Sequence, residues 1–112
     1  MNGQERRQTR RATVQLFVSE ISGGKLFMPL MADVSETGLK LQCPSGLEMP
    51  RTHAPVVELM LPGVPEIIYA RCKVIRDKNK GFFRSRALQF VEISAVHRKM
   101  LKLYVQRVCG LC

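Results

Sequence analysis

The chain has 112 residues, 46% of them hydrophobic and 24% charged, which suits one folded domain with its own core and excludes a disordered polymer. A net charge of +9, from 18 Lys and Arg against 9 Asp and Glu, favours anionic partners: nucleotides, nucleic acid or an acidic surface. No apolar run is long enough to span a bilayer, and the N-terminus lacks the apolar stretch of a secretory signal. The expected location is therefore the cytoplasm, with Cys43, Cys72, Cys109 and Cys112 as reduced thiols.

Residues 1–12 are polar and Arg-rich, without periodicity, and read as a flexible arm ahead of a folded unit over 13–112. Thr13 to Glu20 puts Val14, Leu16 and Val18 on one face of a strand. Ser22-Gly23-Gly24 signals a turn. Leu26 to Val34 is a second apolar segment, in which Pro29 lacks a ladder donor and predicts an edge or a bulge. Gly38 to Gln42 alternates, and Cys43 to His53 reads as a loop. Val56 to Leu61 is a fourth strand, and Pro62-Gly63-Val64-Pro65 a turn. Ile67 to Arg76 follows, with Ile68, Ala70, Cys72 and Val74 on one side. Asp77 to Gly81 turns the chain, and Phe82 to Ile93 is the sixth strand. Ser94 then suits a helix N-cap, with Val96, Met100, Leu103, Tyr104 and Val108 as the apolar stripe. The pattern predicts an all-β fold, a small six-stranded antiparallel barrel or sandwich with a C-terminal helix.

Two motifs carry the functional reading. Arg7-Gln8-Thr9-Arg10-Arg11 is an R-x-x-x-R preceded by Arg6, and Asp33-Val34-Ser35-Glu36-Thr37-Gly38 is a D-x-S-x-x-G. Each alone is weak. Together, in this order, one hairpin apart, on six strands and a helix, they resemble the PilZ domain family. Ala87-Leu88-Gln89-Phe90-Val91 before a polar helix start extends the likeness over nearly the whole chain.

The resemblance implies a barrel of PilZ type that binds cyclic di-GMP as a receptor, not an enzyme. Arg6, Arg7 and Arg11 would clamp guanine and phosphate from the arm, while Asp33, Ser35 and Gly38 would hold the other base edge on the barrel. Arg6 just before the first motif Arg implies two ligand molecules per protomer, and Arg10 has no assigned role. Ordering of the arm would couple the ligand to an effector protein. The chemistry matches: guanidinium fits phosphate and the O6/N7 edge of guanine, and a carboxylate accepts from its N1–H and N2–H groups.

Two other readings stay open: a PilZ-like adaptor without ligand, and a basic barrel that binds nucleic acid through phosphates. Scarce aromatics and the lack of an RNA-binding signature count against the second. No cofactor, metal site or catalytic constellation is expected. Cys109-Gly110-Leu111-Cys112 is a lone C-x-x-C without a second pair, and His53 and His97 have no nucleophile beside them.

Overall fold

The computed structural model describes residues 11–44 and 54–109. In chain order they form β1 (Ala12–Phe17), β2 (Ser19–Ser22), β3 (Lys25–Phe27), β4 (Leu30–Val34), β5 (Gly38–Pro44), β6 (Val56–Leu59), β7 (Ile68–Asn79), β8 (Phe83–Ile93) and α1 (Ala95–Val108). All strand pairs are antiparallel, in the order β1-β4-β5-β8-β7-β6-β2-β3. The expected all-β fold with a C-terminal helix is what forms.

Six strands were expected and eight are found among the described residues, because the first hairpin bends. Val18 separates β1 from β2, and Met28-Pro29 separates β3 from β4. The bend is pinned by Val18 N–H donating to the Pro29 carbonyl at 3.0 Å. Before the bend the hairpin pairs with β5 through β4; beyond it the hairpin pairs with β6 through β2. One bent hairpin thus joins the two ends of the strand order and curls the sheet. Its tip, Gly23-Gly24, has φ of 58° and 77°, the left-handed pair a two-residue hairpin turn needs.

Period-2 alternation fills the interior. Ala12, Val14 and Val18 point inward with Met31, Val34, Leu39, Leu41, Val57, Leu59, Ile68, Ala70, Cys72, Leu88 and Phe90. β7 runs on through Asp77–Asn79, where a turn was expected, because Arg84 grips Asp77 in a two-pronged ion pair (2.7 and 2.6 Å) across the ladder.

The alternation of the first segment continues past Val18 and carries Glu20 and Ser22 into the interior. Glu20 meets Arg86 of β8 there. Arg86 Nη1 donates to Glu20 Oε2 at 2.9 Å, Nη2 donates to Oε1, and Ser22 Oγ donates to Oε2 at 2.7 Å. Both charged side chains are almost completely buried. β2 and β8 are not sheet neighbours, so the pair braces the interior from one side to the other. The basic residues from Arg71 to Arg86 therefore divide. Arg86 lies inside, whereas Arg71 stays exposed beside Glu92 at 3.2 Å.

Cys72 shares this interior. Burial, and secondarily the Glu20 carboxylate, push its thiol up from 9.0 to about 12, with Arg86 opposing. The folded state holds this proton more tightly than the unfolded chain. The contribution to stability is therefore intact below 9.0 and is lost as pH climbs towards about 12. At about pH 8, iodoacetamide should leave Cys72 unmodified in the native protein and alkylate it in denaturant. Native labelling at the free-thiol rate would contradict this burial.

Ser94 caps α1 as expected, its Oγ accepting from His97 N–H at 3.1 Å. The buried stripe differs from the expected one. Leu101, Tyr104 and Val105 enter the core with Met100 at its margin, while Val96, Leu103 and Val108 are exposed. Two overlapping stripes satisfy a 3.6-residue period, and contact with the sheet selects between them. His97 sits on the inner side, its Nδ1 accepting from Tyr69 N–H at 3.1 Å. No helix of the described residues is long and apolar enough to cross a membrane.

Candidate functional site

The D-x-S-x-x-G motif spans the end of β4 and the start of β5. Ser35 is fully buried, and its hydroxyl is engaged locally: Thr37 N–H (3.1 Å) and Gly38 N–H (3.2 Å) donate to it. Ser35 N–H donates to the Gly38 carbonyl at 2.8 Å, which closes the turn. Gly38 does not take a positive φ. Its lack of a side chain serves a close approach instead, since a Cβ there would press into the Leu88 carbonyl and stand 3.2 Å from Gln89 Cα on β8. Ser35 and Gly38 thus hold the turn and seat β5 against β8. Their position fixes where Asp33 and Thr37 project.

Asp33 meets Arg11. Arg11 Nε and Nη2 both donate to Asp33 Oδ1, at 2.9 and 2.7 Å, with both side chains partly exposed. The contact spans 22 residues of sequence. It follows from register: Ala12 pairs with Val34 and Thr13 with Asp33, so the residue before Ala12 leaves β1 beside the motif. Cys109 Sγ donates to the Arg11 carbonyl at 3.6 Å, which ties the end of α1 to the same point. Arg6, Arg7 and Arg10 lie outside the described residues, as do His53 and Cys112.

Around this pair the outer face of the sheet forms a trough of about 450 Å³, lined by Arg11, Asp33, Thr37, Gly38, Lys40, Ile75, Arg76, Ala87, Leu88 and Gln89. Register again explains the composition. Thr13, Asp33, Lys40, Ala87 and Arg76 are successive partners across β1, β4, β5, β8 and β7. Gly38 and Gln89 are direct partners beside them. The row places two cations either side of a small residue, with a carboxylate and Arg11 at one end. Three cations against one carboxylate leave the lining positive. It offers donors to phosphate oxygens, an acceptor for N–H groups, and the aliphatic side of Ile75 for a planar ring.

Lys40, Arg76, Thr37, Gln89 and Ile75 were not assigned to a site from the sequence. Lys40, Arg76 and Gln89 stand on three different strands, and only strand order makes them neighbours. Among the described residues, no three His, Cys, Asp or Glu side chains are grouped so as to hold a metal ion.

Known proteins agree with this architecture. The Bacillus subtilis inhibitor of motility, MotI/DgrA, superposes with a TM-score of 0.77 at 24% identity, over 90% of this chain and 50% of that one. The Borreliella burgdorferi PlzA protein, solved in complex with c-di-GMP, gives a TM-score of 0.65 at 10% identity, over 97% of this chain and 53% of that one. The PilZ domain of YcgR from Escherichia coli, solved with c-di-GMP, gives 0.66 at 14% identity, over 92% of this chain and 91% of that one. The chain spans about half the length of MotI/DgrA and PlzA, and at these identities the likeness is one of fold. A search of curated protein sequences returned no match. The PilZ domain model matches residues 5–107, a span that takes in both motifs and every strand, and the chain belongs to the PilZ domain family.

Proposed function

We propose that this PilZ domain is a receptor for cyclic di-GMP, with the trough as its binding surface. The observation that carries the reading is the meeting of Arg11 with Asp33 on a concave, positive face, since one fits the acceptor edge of guanine and the other its donor edge. Lys40 and Arg76 would neutralise the phosphates. The neighbours PlzA and YcgR, solved with this ligand, support the choice. Arg7 and Arg6 would join from the arm. Four residues reach at most about 14 Å, enough for Arg7 to fold back over the trough from Arg11. Two ligand molecules per protomer would then stack between arm and sheet. An effector protein would read the ordered arm, in the cytoplasm of a bacterium.

Calorimetric titration of the wild type with cyclic di-GMP, beside GMP and cyclic di-AMP, tests the ligand. Binding of cyclic di-GMP with at least tenfold preference over both is expected, because adenine lacks guanine's N2–H donor and its O6 acceptor, and GMP brings one base and one phosphate where cyclic di-GMP brings two. Equal binding of cyclic di-AMP, or binding of oligonucleotides alone, would overturn the assignment.

A further inference from the structure

Four of the five phenylalanines in the chain, Phe17, Phe27, Phe82 and Phe83, line a second concavity of about 310 Å³. It lies where the first hairpin bends away from β5, and Met28, Pro29, Leu30 and Pro44 complete its apolar wall. It is separate from the trough: Gly38 begins β5 at one site and Pro44 ends it at the other, roughly 20 Å apart at strand spacing. Much of this apolar surface faces solvent. Phe82 is 96% exposed, Phe17 68% and Met28 55%. Exposed apolar surface gathered in one concave place marks an interaction site more than a random surface does.

Exposed lysines flank its phenylalanines in the sequence. Lys25 lies two residues before Phe27, and Lys78 and Lys80 lie in the hairpin that carries Phe82; all three are exposed. Among the described residues the carboxylates nearest in the fold, Glu20 and Asp77, are each held by an arginine, Arg86 and Arg84. β3 pairs only with β2 among the described residues, and Phe27 and Met28, at its end, line the concavity. A second edge of that strand can accept an extended segment.

We propose that this groove docks an acidic segment of a partner protein, with aliphatic or aromatic side chains set into the phenylalanine wall and carboxylates facing Lys25, Lys78 and Lys80. Concavity favours a chain whose single side chains can enter over the flat face of a bilayer. The lysine rim and a net charge of +9 oppose a second copy of this protein in the groove. The site is independent of the ligand trough.

The test uses a labelled peptide of alternating leucine and glutamate, followed by fluorescence anisotropy on the full chain. A peptide of leucine and lysine, and vesicles of phosphatidylglycerol, serve as competing probes. Saturable binding of the acidic peptide is expected. It should weaken about tenfold or more in Phe82→Ser, as for loss of an aromatic anchor, and fall again in Lys78→Glu/Lys80→Glu. Both sites are exposed, so the melting temperature and any cyclic di-GMP response should stay at wild-type values. Equal binding of the basic peptide, insensitivity to Phe82→Ser, recruitment to vesicles without peptide binding, or Phe82-dependent self-association would each overturn the proposal.

Discussion

Replacing Glu20 with alanine is expected to remove about 3–5 kcal/mol of folding stability, the largest loss of any single substitution considered for this protein. The cause lies in what the substitution leaves behind. Arg86 is 3% exposed and its guanidinium has been taken out of water. Glu20 supplies the compensating charge to the two terminal nitrogens of Arg86, while Arg86 Nε has no hydrogen-bond partner among the described residues. Alanine would leave a buried cation without its counter-charge. A domain of this size has about 5–15 kcal/mol in all, so the variant should sit near the edge of folding. Chemical denaturation of Glu20→Ala, Arg86→Met and Glu20→Leu/Arg86→Met separates the contributions. The double variant should be more stable than Glu20→Ala, because an apolar pair carries no desolvation penalty. If Glu20→Ala unfolds at the wild-type denaturant concentration, the pair is not the interior brace described above.

Arg11→Ala is expected to weaken cyclic di-GMP binding about ten- to a hundredfold, with Asp33→Ala close to it. A hydrogen bond to a charged group contributes roughly 1.5–3 kcal/mol, and each 1.4 kcal/mol is tenfold in Kd. The two losses should not add. Arg11 and Asp33 already bind each other in the free protein, at 2.7 Å, so each orients the other for the ligand. Once one is gone, the second is no longer held in place, and the double variant should lose less than the sum. Stability should change by about 1 kcal/mol or less, since the pair is open to solvent. Calorimetry on the two single variants and the double variant, with urea melts of the same samples, reads all of these. An Arg11→Ala protein that binds as tightly as the wild type would remove the trough from consideration. Strict additivity would mean that the pair does not organise the site.

The residues show why some of this was legible beforehand and some was not. Turns that depend on local chemistry were visible: Gly23-Gly24 at a hairpin tip, Ser94 at a helix start, and Pro29 as a break in a strand. The faces of β1 and β7 followed from alternation alone. Ser35, expected as a ligand contact, also bonds the backbone of its own turn. D-x-S-x-x-G satisfies a backbone turn and a binding site with the same atoms, and spacing cannot say which a given hydroxyl serves. Glu20 and Arg86 escape a linear reading because charged side chains belong outside as a rule, even where alternation points one of them inward. Their 66-residue separation hides the partner that makes burial tolerable.

Local order, then, was written in the chain itself: strand faces, turn positions, the helix start, and a pair of motifs specific enough to point to one family. Each of these depends on interactions within a few residues, which a linear reading can follow. Tertiary structure alone decided which side chains became neighbours across strands, and so assembled Arg11, Asp33, Lys40 and Arg76 in one row, turned α1 by one stripe, and hid an ion pair in the interior. Those outcomes depend on strand order and register, which are set by the packing of the whole sheet and not by any segment of it.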